Sequence, residues 1–323
     1  NINAAYINYS RPLSTKLNMQ LGLRAEQTIA NGDQRTTNVQ FKRNYIQVFP
    51  TAYIQYAANE KNNFVINYGK RIRRPDYQSL NPFVEFLDRY TYEQGNPYLK
   101  PQFAHNIELS HTYKSFLTTT LNYTKTTDMI QQVIMQDDAK NETFIKQENI
   151  ATQQQIGLSI NAFNQYTKWW SGNIYLNVAN NQLTGPINNE MVSISATTFM
   201  ANISQQFKLN KGYSAELSGF YRSEGLEGVF RIKPFGIVNI GLSKQVMKNK
   251  GTIRINVRDI FWSQKIKGES KYGTVDANFR QFNDNRIANI SFTYRFSKGK
   301  AAAGPRKRGG ADDEQSRVGV DSG

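Results

Sequence analysis

Cysteine is absent from the 323-residue chain, and histidine occurs only twice, as His105 and His111. Without thiols there is no disulfide framework, no thiolate metal site and no cysteine nucleophile. The two histidines fall on what reads as one strand, and at ~3.3 Å per residue they stand about 20 Å apart, too far to share a metal ion. Serine–histidine–aspartate catalysis therefore has almost no material to work with. Phosphate-loop and dinucleotide glycine patterns are also missing. Carboxylates cluster only as chain neighbours, Asp137–Asp138 and Asp312–Asp313–Glu314, where solvated charge is the expected reading. No enzyme activity and no cofactor are expected. Long apolar runs are lacking as well: no window approaches the ~18 consecutive apolar residues of a membrane helix. The mean hydropathy of −0.61 fits that absence. It says little about β-barrels, whose strands alternate and so average out polar.

The net charge of +15 invites a nucleic-acid reading. However, Lys and Arg are spread along the whole chain, with no basic helix and no RNA-binding motif, and Pro305–Arg308 is too short an arm. Nucleic acid is not expected as a partner. The opening NINAAYINYSR reads as a strand rather than a secretory leader, so the chain is read as either cytoplasmic or a piece of a longer protein.

What is abundant is alternation. Leu17, Met19, Leu21, Leu23 and Ala25 share one face, against Asn18, Gln20, Gly22, Arg24 and Glu26 on the other. Ile253, Ile255 and Val257 oppose Arg254, Asn256 and Arg258, and Ala288, Ile290, Phe292, Tyr294 and Phe296 oppose Asn289, Ser291, Thr293 and Arg295. Period-2 patterning of this kind predicts about 13 strands, many of about 10 residues or more. A soluble sandwich would alternate too, with shorter strands. Long strands with a continuous apolar face and an Arg, Glu, Asn and Gln face predict an antiparallel transmembrane β-barrel, apolar outside and polar in the lumen. The lumen-side arginines Arg24, Arg254, Arg258 and Arg295 are expected to pair with Glu26, Glu108 or Glu216, or to attract an anionic solute.

Short turns are predicted near residues 11–15, 58–62, 114–115, 165–168, 210–212 and 248–251. Longer polar connections fall at 29–43, 74–102, 127–148, 181–191, 223–233 and 264–274. Aromatics cluster beside the short turns, among them Tyr113, Phe116, Trp169, Trp170, Phe207 and Tyr213, as a membrane–water girdle requires. This asymmetry places the short turns in the periplasm. The first and last strands then run the same way, which makes the strand number odd where complete barrels have an even one. The chain is accordingly expected to be the C-terminal portion of a larger barrel, with residues 1–296 in the barrel and 297–323 a disordered periplasmic tail.

The connection from Ile72 to Gln102 reads IRRPDYQSLNPFVEFLDRYTYEQGNPYLKPQ. Four prolines punctuate it, and its aromatics can pack it on itself. A connection of about thirty residues in a hairpin architecture is usually functional. Its candidate substrate-side residues are Arg71, Arg73, Arg74, Tyr77, Asn81, Tyr90, Tyr92, Asn96 and Tyr98.

RRPDYQSLNPF followed by GNPYLKPQFAHNIELSHTY, together with the ending DNRIANISFTYRFSKGK, resembles TonB-dependent outer-membrane receptors. More narrowly, it resembles the outer membrane protein β-barrel family. Gln102 stands where that pattern usually has glutamate. The resemblance implies a 22-stranded barrel in the outer membrane of a Gram-negative bacterium. It further implies a plug domain, a TonB box and energised import of a scarce or large solute. Phe292, Tyr294 and Phe296 resemble the C-terminal signal read by the barrel-assembly machinery. Partners implied are outer-membrane lipid and lipopolysaccharide, TonB and the plug, the assembly machinery, and a surface lipoprotein. The alternative is a barrel without TonB coupling, acting as a passive channel or a secretion or surface scaffold.

Overall fold

β-branched and aromatic side chains at alternate positions favour extended backbone, and the described residues form strands with one short 3-10 turn at Asn210–Gly212. The computed structural model describes residues 1–34, 39–137, 142–187, 190–273, 275–282 and 284–296. The expected tail, 297–323, lies outside them, as do Asp138 and the acidic run from Asp312. The strands are β1 Ile2–Pro12, β2 Leu17–Gln34, β3 Val39–Asn59, β4 Asn62–Arg73, β5 Val84–Phe86, β6 Thr91–Gln94 and β7 Gln102–Tyr113. They continue with β8 Leu117–Thr127, β9 Ile130–Asp137, β10 Glu142–Asn149, β11 Thr152–Gln165, β12 Trp170–Ile187, β13 Glu190–Lys208 and β14 Tyr213–Arg222. The last are β15 Gly225–Glu227, β16 Phe230–Ile232, β17 Phe235–Val246, β18 Gly251–Val257, β19 Lys265–Tyr272, β20 Val275–Phe282 and β21 Ala288–Tyr294.

Thirteen strands form one sheet in the order β1-β2-β3-β4-β7-β8-β11-β12-β13-β14-β17-β18-β21, the number the alternation predicts. Two compact units are distinguished. One holds Asn1–Leu158, Ala179–Ala196 and Ser270–Asp276, and the other holds Ser159–Val178, Thr197–Glu269 and the chain from Ala277.

In the first unit the register sorts side chains into rows. Tyr9, Leu21, Ala52, Tyr68, Ile107 and Tyr123 stand opposite one another from β1 to β8. The adjacent row, on the other face, is Asn8, Gly22, Thr51, Gly69, Asn106 and Thr124. Gly22 leaves room for these side chains, since a Cβ would lie 2.4 Å from Thr51 Oγ1 and 2.6 Å from Asn8 Oδ1. The second unit repeats the sorting: Ala215, Leu242, Ile255 and Ile290 form one row, and Glu216, Gly241, Asn256 and Asn289 the next. The apolar rows are open, with Ile66 at 48%, Leu109 at 45% and Leu242 at 57% exposure. A surface this apolar needs a non-aqueous neighbour, and a lipid hydrocarbon layer provides one.

Both histidines lie in apolar-side rows, as the alternation predicts. His111 stacks on Phe64 with centroids 4.5 Å apart and bonds Asn62 Oδ1 at 2.9 Å, and His105 bonds the Tyr68 hydroxyl at 2.9 Å. Of the lumen-side arginines, Arg24 pairs with Glu26 at 2.6 Å, along its own strand rather than across to a neighbour. Arg258 reaches Gln264 at 3.3 Å, while Arg254 and Arg295 line a ≈ 260 Å³ recess of the polar wall with Glu216.

The long connections differ from the expectation of irregular polar loops. Residues 127–148 contain β9 and β10, and 74–102 contain β5 and β6. The stretches 29–43 and 181–191 are largely strand continuations, because β2, β3, β12 and β13 run for 18, 21, 18 and 19 residues. A membrane crossing uses about 9–11 residues, so these hairpins extend well beyond it. Most of the closely buried apolar side chains lie at this end. In the first unit they include Leu99, Ile130, Val133, Ile150 and Val275, and in the second Val229 and Ile232.

Charge placed on the apolar face should be costly and on the polar face tolerated. Ile255→Lys is expected to destabilise the folded protein in lipid vesicles by about 2–4 kcal/mol. Asn256→Lys, one residue along and facing the other way, should change stability little, with both read by denaturant titration of tryptophan fluorescence.

Candidate functional site

Pro75 follows β4 directly; it has no N–H for the ladder and restricts Arg74, so the chain leaves the sheet at this point. Arg74 is fixed there. Its guanidinium donates to Glu26 and to Thr28 Oγ1, the latter at 3.0 Å and 3.3 Å. Glu26 is 5% exposed and also holds Arg24, so one buried carboxylate joins two cations and ties the connection to β2.

The turn that follows is built from its own side chains. Asp76 accepts from the Ser79 amide at 2.7 Å and the Ser79 hydroxyl at 2.8 Å. The Asn96 amide donates to Ser79 O at 2.6 Å, which brings GNPYLKPQ back across the start of the connection. Gly95 is squeezed in this crossing: a Cβ would lie 2.2 Å from Asn81 O. The Asn96 side chain bonds Gln147 O at 3.2 Å and Glu148 Oε2 at 3.0 Å, and its own oxygen accepts from the Tyr98 amide at 2.9 Å.

Asn149 acts in the same way, accepting from the Lys100 amide at 2.6 Å and donating to Lys100 O at 2.9 Å and Asp128 O at 2.8 Å. Arg43 donates to the carbonyls of Leu99 and Pro97, the second at 2.7 Å. Gln102 Oε1 accepts from the Ile130 amide at 3.0 Å. An amide oxygen thus supplies the acceptor there, and a carboxylate could do the same.

These contacts present a four-stranded sheet in the order β5-β6-β10-β9. On one face Tyr92 stacks on Phe144 with centroids 5.4 Å apart and meets Phe86 at 6.0 Å. On the other, Glu85 and Glu93 stand directly opposite each other. A ≈ 370 Å³ cleft opens beside them, lined by Asp76, Asn81, Phe83, Glu85, Glu93 and Gln147 among others. Among the described residues, no lysine or arginine lines it.

Part of a second folded connection lies in the second unit. Lys233 sits 3.2 Å from Glu224 and 2.8 Å from Glu269, and Arg231 lies 3.0 Å from Glu224. Hydrogen bonds from Arg231 and then Lys233 hold the Glu224 carboxyl below its ordinary value, while Glu269 and then Glu224 raise Lys233. In the first unit, the buried Tyr272 hydroxyl accepts from the Ile134 amide at 2.9 Å and donates to Ile134 O at 2.8 Å. Burial pushes this phenol's pKa up, so it keeps its proton.

The nine residues singled out in the sequence divide in two. Arg74, Asn96 and Tyr92 are occupied in holding the connection together. Arg71, Arg73, Tyr77, Asn81, Tyr90 and Tyr98 are exposed, and only Asn81 lines the cleft. Sequence reasoning missed Arg43, Asn149, Glu85, Glu93 and Gln147; the Glu85–Glu93 alignment needed the β5–β6 register to become visible. Among the described residues no group of three or more His, Asp or Glu side chains could hold a metal ion.

A sheet with one apolar exposed face and one polar face, with folded connections in each unit, defines an outer-membrane β-barrel protein. The sequence profile described as the outer membrane protein beta-barrel family matches residues 1–294, and the chain belongs to that family. No curated protein sequence matches it. Its fold is similar to the siderophore receptor PirA from Pseudomonas aeruginosa, with TM-score 0.61 at 14% identity over 92% of this chain and 48% of that one. The ferric yersiniabactin uptake receptor FyuA from Yersinia pestis gives TM-score 0.61 at 16% identity, covering 92% of this chain and 46% of its own. The copper transporter OprC gives 0.60 at 12% identity, covering 90% and 46%. The chain therefore spans about half the length of these structures. Family and fold place it in the outer membrane of Gram-negative bacteria.

Asn96→Ala removes two buried donor contacts and an acceptor, so the folded connection should lose about 1–3 kcal/mol. Gly95→Ala should act in the same direction through the clash with Asn81. Limited proteolysis of the protein in detergent micelles should cut faster within 74–102 for both variants. Assembly of the sheet, read by heat-dependent gel mobility, should be unchanged.

Proposed function

We propose that this chain is the C-terminal barrel portion of a TonB-dependent importer that captures a scarce or large solute outside the cell. The observation that carries the reading is the organised outer end. Here long hairpins and a packed four-stranded sheet build a cleft from carboxylates, amides and an exposed phenylalanine, a concave surface with convergent polar groups suited to holding a solute. The similarity of fold to receptors and transporters for siderophores and copper supports the same reading.

In this reading Arg71, Arg73, Tyr77, Asn81, Tyr90 and Tyr98 face the solute, and Arg74, Asn96 and Tyr92 keep the surface in shape. Phe292, Tyr294 and Phe296 serve as the assembly signal at the last strand, where Tyr294 and Phe296 meet edge-on with centroids 4.7 Å apart. A plug and a TonB box would be supplied by the rest of the protein.

The test is uptake by cells carrying the full-length gene. Accumulation of the solute, identified by comparing the medium consumed by cells with and without the gene, should collapse when TonB is deleted or the proton gradient is discharged. Uptake that persists at the same rate in either condition would leave a passive barrel.

A further inference from the structure

The six short turns carry a pattern that barrel geometry does not require. They join β1 to β2, β3 to β4, β7 to β8, β11 to β12, β13 to β14 and β17 to β18; the first three turns lie in the first unit and the last three in the second, and within each unit antiparallel order puts them at the same strand ends. Each contains lysine: Lys16, Lys61, Lys114, Lys168, Lys211, and Lys248 with Lys250. None contains arginine, and Glu60 is the one acid among them. All seven lysines are exposed, and none has an ion-pair partner among the described residues.

Turn geometry does not explain the residue type. Lys114, Lys211 and Lys248 have φ of +46°, +59° and +53°, left-handed backbone that glycine or asparagine adopts more easily. Lysine is disfavoured at these positions, as are Ser115 and Met247, which share the conformation, so the backbone does not select it; of the turn ammonium groups, that of Lys16 donates to Ala58 O at 3.1 Å.

Directly beside these turns are the amphipathic rings of the membrane–water boundary. Trp169 and Trp170 pack with Phe207, each at 6.1 Å, and Tyr113 meets Phe116 at 5.9 Å. Lys114 lies over the Tyr113 ring at 5.2 Å. Rings of this kind mark the headgroup level of a bilayer. A lysine one or two residues further along the chain then reaches the plane of the lipid phosphates.

We propose that in each unit the turn lysines bind anionic phospholipids of the periplasmic leaflet, each ammonium engaging a headgroup phosphodiester beside the aromatic rings. The assignment rests on the periplasmic placement of the short turns. Its test does not, since both leaflets of a symmetric vesicle carry the same lipid.

The chain has 3 tryptophans, so Trp262→Phe leaves Trp169 and Trp170 as reporters beside one turn. The protein in this background is reconstituted with brominated phosphatidylglycerol or brominated phosphatidylcholine, and quenching is measured as a function of lipid fraction. Phosphatidylglycerol is expected to be preferred roughly fivefold around these rings. Changing the seven turn lysines to glutamine should bring the ratio to about one, and changing them to arginine should preserve it. Equal quenching by the two lipids in the unmodified turns would overturn the proposal and point to a soluble periplasmic partner. A preference that survives Lys→Gln would overturn it as well. The arginine set separates loss of charge from failure to assemble.

Discussion

A peptide group inside hydrocarbon has no water to bond, so each N–H and C=O must find a partner within the protein. The antiparallel ladder answers that requirement here, and the other features of the sheet depend on it. Neighbouring strands pair continuously from β1 to β8, and pairing continues from β13 to β21. Once backbones are locked in this way, successive side chains have to face opposite directions. One face must then suit lipid tails and the other water. The row from Tyr9 to Tyr123 and the neighbouring row from Asn8 to Thr124 are the two solutions, one residue apart.

Outside the membrane the same hairpins face a different solvent and pack differently. Leu99, Val133 and Val275 are buried there as in a soluble domain. Where proline interrupts the ladder, side chains replace it. Pro97 and Pro101 have no N–H to give, and the nearby backbone groups are met by Arg43, Asn96 and Asn149. A rigid wall thereby carries a second layer of structure whose stability depends on polar side chains rather than on lipid.

The division between what could and could not be read from the sequence has the same origin. Alternation in Leu17–Ala25 or Ala288–Phe296 reports directly on two contrasting solvents, so the sheet and its short turns were legible. In Ile130–Asp137 and Glu142–Asn149 glutamine and charge blur the contrast, because these strands lie against other protein and water, and the pattern there reads as loop. The prolines and Asn96 marked the connection as ordered. The roles of Arg43 and Asn149 were hidden because their partners, the backbone groups of Pro97 and Lys100, lie 54 and 49 residues away. Arg74 drew notice as a cation facing a solute, whereas its charge is already satisfied by a carboxylate on β2.

Alternate residues of one strand face lipid and water, and β7 offers a direct test of that division. The chain has no native cysteine, so single cysteines can be placed along β7 and spin-labelled without background. Labels at Ile107, Leu109 and His111 should be accessible to oxygen, which dissolves in lipid. Labels at Asn106, Glu108 and Ser110 should respond to a water-soluble nickel complex, giving a period of two along the strand. Equal access of the nickel complex to both sets, in the reconstituted protein, would contradict the membrane barrel.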